Sequence, residues 1–186
     1  MLKAIQKILK ENASPEAKSA HEKFVPGTEK IYGVRTPVLN ELAREYKKGG
    51  FELAAELWNA GALEEKIIAA KMLGAIAKTD PVRAISLFRE FSEGIQNWAV
   101  CDTLGMQSLK PLFKTHQETI FNLARKYNKS RDPWQRRLSL VLAEWYTRDK
   151  ACHPAILQLV RSLENDRDYY VKKAIVWILK NLEKGK

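Results

Sequence analysis

The chain is poor in the residues that build metal and redox centres. Its 186 residues include two cysteines, Cys101 and Cys152, and three histidines, His21, His116 and His153. The cysteines have no CxxC spacing and the histidines are scattered, so no ligand motif forms. Buried thiols are expected rather than a disulfide, and neither a metal nor a cofactor is expected. No apolar run nears the roughly 20 residues that a membrane-spanning helix needs, which argues against a membrane partner. Residues 1–8 alternate charged and apolar groups and lack the apolar core of a signal peptide, so cytoplasmic residence is the expectation. Alternating Val/Ile/Thr runs bounded by hairpin turns are missing, which argues against a sheet. No low-complexity linker interrupts the chain.

What is present is one domain's worth of sequence, 1–186, with 45% hydrophobic residues, normal for a globular protein. A monomer is expected. The net charge is +10, and its placement is uneven. Residues 1–93 carry 15 Lys and Arg against 13 Asp and Glu, and residues 94–186 carry 17 against 9. A one-sided basic field attracts polyanions, of which nucleic acid is the commonest in a cell. The same charge also serves solubility.

Helix signals fill the chain. Ser14-Pro15, Thr36-Pro37, Asp80-Pro81 and Asp132-Pro133 each place a proline after a capping residue, a specific start signal. Gly27, Gly33, Gly49-Gly50, Gly61 and Gly94 mark ends and turns. The signals predict helices near 2–11, 15–24, 37–48, 51–59, 63–77, 81–91, 97–108, 115–127, 132–148, 153–164 and 167–183. Ile67, Ala70, Leu73, Gly74 and Ala77 share one helical face, as do Trp134, Leu138, Val141, Leu142 and Trp145. On the last helix the stripe is Val171, Ala174, Ile175, Ile178, Leu179 and Leu182. Many short helices joined by short turns suit antiparallel pairs stacked as a solenoid better than a bundle of few long helices. The expected fold is therefore all-α, a superhelix of degenerate helical repeats.

Three stretches carry possible chemistry. The first is Asn97-Trp98-Ala99-Val100-Cys101-Asp102, a short helix with Asn97 as N-cap. Trp98 and Asp102 lie one turn apart on one face, so a flat ring and a carboxylate can meet the same cationic or sugar-like group. Taken alone, a Trp is usually core and an Asp usually solvated. The second is the last helix, where Tyr170, Lys173, Trp177, Lys180 and Lys184 share the face opposite the apolar stripe. Lysines neutralise phosphates and aromatic rings pack on sugars or bases. A surface helix with snorkelling lysines is the plainer alternative. The third is Trp134-Gln135-Arg136-Arg137, where both arginines fall off the apolar line. Each can bind a phosphate bidentately or pair with a carboxylate.

Together with Tyr32-Gly33-Val34-Arg35-Thr36-Pro37 and Tyr169-Tyr170-Val171-Lys172-Lys173-Ala174-Ile175-Val176-Trp177, these stretches resemble the AlkD-type DNA alkylation repair glycosylases, which are built of HEAT-like repeats. The similarity runs from about Tyr32 onward. It implies a basic concave cleft lined by Trp98, Asp102, Arg137 and Trp177, with Phe24 matching an aromatic of an early helix. It also implies hydrolysis of the bond between deoxyribose and a cationic N3- or N7-alkylated purine in double-stranded DNA. Alkylation makes the base a good leaving group, and positive charge develops on the sugar, as in glycoside hydrolysis. By the resemblance, Asp102 stabilises that charge and orients water, Trp98 and Trp177 pack on the lesion nucleotide, and the base stays unflipped. Arg137 holds a phosphate, and Arg136, Lys173, Lys180, Tyr170 and Trp134 complete the DNA-binding set. Two other readings stand beside it: a non-catalytic helical-repeat protein that binds duplex or branched DNA, and a protein–protein scaffold.

Overall fold

Capping chemistry sets where the helices begin. The structure, a computed structural model, describes residues 1–27 and 30–184. Among them are eleven α-helices and no strand. They are α1 (Leu2–Glu11), α2 (Pro15–Phe24), α3 (Thr36–Glu45), α4 (Gly50–Ala60), α5 (Leu63–Ile76), α6 (Pro81–Glu93), α7 (Trp98–Thr103), α8 (Gln117–Asn128), α9 (Pro133–Ala143), α10 (His153–Ser162) and α11 (Tyr169–Lys184). Three of the four proline starts are capped as expected. Ser14 Oγ accepts from Ala17 N at 3.1 Å, Asp80 Oδ1 from Arg83 N at 2.9 Å and Asp132 Oδ1 from Trp134 N at 2.9 Å. Thr36 is the exception. The first turn closes on Arg35 O, which accepts from Val38 N at 3.1 Å, so Thr36 is already helical and Arg35 takes the cap position.

Three predicted helices change character before they end. The 37–48 stretch tightens to a 3₁₀ turn over Tyr46–Gly49, and the 132–148 stretch does so over Glu144–Arg148. The 97–108 stretch is α-helical only to Thr103 and then widens into a π-helical turn over Leu104–Ser108.

The chain forms two compact units, Met1–Pro111 and Leu112–Lys186. In the first, the two-residue link Gly61-Ala62 turns α4 back onto α5, with Gly61 in the left-handed conformation (φ 89°) that ends a helix cheaply. In the second, α8 and α9 form the matching pair, and α11 packs on α9. Side-by-side packing of consecutive helices is the helical-repeat arrangement expected from the sequence. Cys101 and Cys152 are buried and are not joined in a disulfide. No helix among the described residues is long and apolar enough to cross a membrane.

The core of the first unit centres on α5. A single apolar face was expected there, but α3, α4 and α7 pack around the helix and bury most of its circumference. Ala70, Leu73, Gly74 and Ala77 are buried as expected, Ile68, Ala69 and Met72 join them, and Ile67 stays partly exposed. In the second unit α9 is likewise buried along Arg137–Ala143, while Trp134 and Trp145 are only partly covered. On α11 the buried stripe narrows to Val171, Ala174, Ile178 and Leu182; Leu179 is exposed.

Gly74 is required by a close approach. A Cβ there would stand 2.3 Å from Gln107 O, in the π-helical turn. In an open helix Gly→Ala stabilises by about 1 kcal/mol, but here the added carbon meets backbone. Gly74→Ala is therefore expected to destabilise the protein by about 1–3 kcal/mol, the usual cost of overpacking, seen as a lowered urea midpoint. A raised midpoint would show that the approach is not as close as described.

Candidate functional site

The short α7 helix is built as its sequence suggests. Asn97 Oδ1 accepts from Val100 N at 2.9 Å and closes the first turn. Val100 and Cys101 face the core and are fully buried. That leaves Trp98 and Asp102 one turn apart on a partly exposed face. Thr103 Oγ1 donates back to Ala99 O at 2.8 Å, just before the helix widens.

Trp98 is oriented from outside its own helix. Its indole N–H donates to Phe24 O at 2.7 Å, across 74 positions of sequence. Phe24 closes α2, and its ring is exposed, with Lys23 Nζ 5.3 Å from the ring centroid. Just beyond, Gly27 (φ 77°) lies so close to Gln96 O that a Cβ would come within 2.5 Å. The end of α2 and the start of α7 are thus held together, and an exposed Phe24 accompanies Trp98. The partly exposed Trp98 and Asp102, one turn apart, offer a surface for a flat or cationic partner.

The second unit carries the basic and aromatic groups. On α11, Lys173 and Lys180 are exposed, and Tyr170 and Trp177 are partly exposed, off the buried stripe as expected. Trp134 of α9 lies against Tyr170 with ring centroids 5.0 Å apart, and Tyr169 meets Tyr170 edge-on at 5.1 Å. Lys173 Nζ stands 5.3 Å from the Tyr169 ring centroid. The expected residues Trp134, Tyr170 and Lys173 therefore form one aromatic and cationic cluster.

The two arginines of α9 differ from expectation. Arg137 is not a solvated side chain off the apolar line. It is 8% exposed, because α9 is covered on most sides, and its Nη1 donates to Tyr170 O at 2.7 Å. Arg136 is a brace. Its Nε and Nη2 grip Asp166 at 2.5 and 3.2 Å, and Nη1 donates to Ser130 O and Arg131 O. The planar fork is spent on protein oxygens, which argues against a direct phosphate contact. Hydrogen bonding to Asp166 raises the Arg136 pKa. Burial, the largest single influence, works to raise the Asp166 pKa, but the Arg136 hydrogen bonds, the Asp168 N–H and the charges of Arg136 and Lys172 together outweigh it and hold the carboxyl below its ordinary value.

Sequence reasoning misses how α7 is supported, although it singles out Phe24 for its ring. Phe24 acts through its carbonyl, which no side-chain pattern reveals. Lys66 Nζ donates to Gly94 O at 2.8 Å, and Lys71 Nζ to Gln107 Oε1 at 2.9 Å. Their only sequence signal is two cations on a helix that is apolar beyond the glutamates of its first turn.

The fold and these faces define an all-helical repeat protein that presents aromatic, acidic and cationic groups of the kind that engage a polyanion. A family model described as DNA alkylation repair enzyme matches residues 5–186. The chain belongs to that family, which makes it a DNA-repair protein with DNA as its partner. A search of curated proteins finds no match.

The Arg136–Asp166 brace has a pH signature. A carboxyl with a depressed folded-state pKa contributes stability above its unfolded value, about 3.9, and loses it as pH falls through the folded value. The stability gap between wild type and Asp166→Asn is expected to be open near neutral pH and to close progressively below about pH 4. Urea titrations across that range measure it. A gap independent of pH would remove the ion pair from the account.

Proposed function

We propose that the protein is a DNA N-glycosylase that hydrolyses the bond between deoxyribose and cationic N3- or N7-alkylated purines in duplex DNA. The family supports a DNA-repair enzyme, and the α7 face carries the finer reading: Asp102 one turn beyond Trp98, whose ring is fixed by its bond to Phe24 O.

The chemistry fits these groups. An alkylated purine leaves with the C1′–N bonding pair as a neutral base, so no acid has to protonate it first. Positive charge collects on the sugar as the bond lengthens. The Asp102 carboxylate stabilises that charge and orients the water that adds to C1′, with the surplus proton passing to solvent. Trp98 packs on the sugar of the lesion nucleotide and adds cation–π attraction to the developing charge. Because the attack is at the sugar, the base need not be extruded into a pocket, unlike the usual glycosylase route. Trp177 packs on the sugar and backbone of bound DNA. Lys173 and Lys180 neutralise phosphates, while Tyr170 and Trp134 supply ring surface. The resemblance assigns Arg137 to a phosphate, but here the side chain is 8% exposed and its Nη1 donates to Tyr170 O, so its part is to set the Tyr170 backbone beside the bound DNA. Arg136 is left out of this set, because its donors are already engaged.

Two expected outcomes test the reading. Methylated duplex DNA should release 7-methylguanine well above the spontaneous rate, and Asp102→Asn should slow release by about 10²–10³-fold, the usual cost of a group aimed at transition-state charge. Salt-sensitive binding with no release, or equal release by the variant, would leave only a non-catalytic DNA binder. Separately, Lys173→Ala and Lys180→Ala should each weaken duplex binding and each lower the slope of log K against log salt by about 1. Unchanged slopes would remove α11 from the DNA face.

A further inference from the structure

The segment that carries Trp98 and Asp102 is fastened at both ends to one helix, α5. Upstream, Lys66 Nζ donates to Gly94 O at 2.8 Å and to Gln96 Oε1 at 3.4 Å. The same ammonium lies 5.3 Å from the Trp58 ring centroid. Trp58 stacks on Phe91 with centroids 4.3 Å apart, and a Cβ on Gly94 would stand 3.0 Å from its indole nitrogen. Downstream, Lys71 Nζ donates to Gln107 Oε1 at 2.9 Å, and Ser108 Oγ donates to Ala70 O at 2.9 Å. The Gly74–Gln107 approach lies beside these bonds.

Both lysines are therefore turned inward. In a basic DNA-binding chain, exposed lysines serve phosphates, yet Lys66 and Lys71 are partly covered and point at protein oxygens. Burial holds both below the ordinary lysine pKa. Their targets flank a helix of six residues, too short to be stable by itself. Its place has to be set from its ends.

We infer that Lys66 and Lys71 are positioning residues: acting through Gly94, Gln96 and Gln107, they fix where α7 stands and thereby where Asp102 stands. For its catalytic consequence the inference rests on the glycosylase reading; the fixing of α7 does not. A misplacement of about 1 Å at a reacting group costs about 100-fold in rate, so small movements of α7 matter.

The test uses the full chain with Lys66→Met, Lys71→Met and the two Lys→Arg variants. One measurement is amide hydrogen exchange. The Met variants should speed exchange over residues 98–108 about tenfold or more, a loss of local opening free energy of the usual size, while α8–α11 stay as in wild type. The other is single-turnover release of 7-methylguanine at saturating DNA, with duplex affinity measured apart. Release should fall about 10–100-fold with affinity nearly unchanged, and arginine, which keeps the donors and the charge, should restore most of both readouts. Unchanged exchange over 98–108 would overturn the inference. So would a loss confined to DNA affinity, which would make the lysines phosphate contacts. If wild type releases no base, the glycosylase reading fails, and exchange still decides whether α5 fixes α7. Should either Met variant loosen all of α1–α5, Gln96→Ala replaces Lys66→Met and Gln107→Ala replaces Lys71→Met, since each deletes only a side-chain acceptor of that lysine, and both are held to the same two outcomes.

Discussion

Two buried carboxylates in the first turn of α5 hold the first unit in register. Glu64 is fully buried, and its Oε1 accepts from Gly33 N at 2.7 Å and Val34 N at 3.1 Å, while Oε2 accepts from Tyr32 N at 3.0 Å. Glu65 is 2% exposed and accepts from Gln6 Nε2, the Tyr32 hydroxyl and Ala62 N. A buried anion without such donors costs several kcal/mol, so these bonds are conditions of the fold. The helix N-terminus adds its partial positive charge. Burial and the two carboxylates push the Tyr32 hydroxyl up to about 12, so it stays protonated and donates to Glu65.

That constraint reaches the aromatic pair through α2. The Tyr32–Val34 loop is pinned to α5, and Gly33 (φ 86°) lies against Ser14 O and Lys18 with no room for a side chain. Ser14 N donates to Gly33 O at 2.9 Å, and His21 Nδ1 lies 3.7 Å from Glu64 Oε1. These polar attachments matter because α2 has no buried residue of its own. At its far end the helix delivers Phe24 O to the Trp98 indole. The orientation of Trp98 therefore traces back to the carboxylates of α5, with the Gly33 loop and α2 as the links.

The helices and their caps were legible because their signals are local. Ser14, Asp80, Asn97 and Asp132 cap as their spacing predicts, and Trp98 and Asp102 share a face because 3.6 residues make a turn. Apart from the one-residue shift at Thr36, what failed was non-local. Thr36 lost its cap role to a turn that closes on Arg35 O. Arg137 lay on the polar side of a helical wheel, yet neighbouring helices cover that side too. Nothing in the sequence marks Glu64 and Glu65 as buried, since no pattern shows that a loop 30 residues upstream aims three N–H groups at one carboxylate. The same holds for Lys66 and Lys71, whose acceptors lie about 30 residues downstream. A buried charge is specified by its partner, and the partner is visible only once the chain is folded.

The net charge is divided unevenly between the two units. Residues 1–111 carry 16 cations against 14 anions, and residues 112–186 carry 16 against 8. Some of the second set are already engaged, as in the Arg136–Asp166 brace, but Lys173 and Lys180 remain exposed on α11. The field that attracts a polyanion therefore comes mainly from the second unit and is screened by salt. The first unit is close to neutral, and this suits the anionic role proposed for Asp102. A strongly positive field around Asp102 would favour the charged carboxylate but would also oppose the positive charge it is proposed to stabilise on the sugar. Keeping the cations of α5 paired with protein oxygens, as Lys66 and Lys71 are, provides attachment for α7 while their charge is met by protein dipoles.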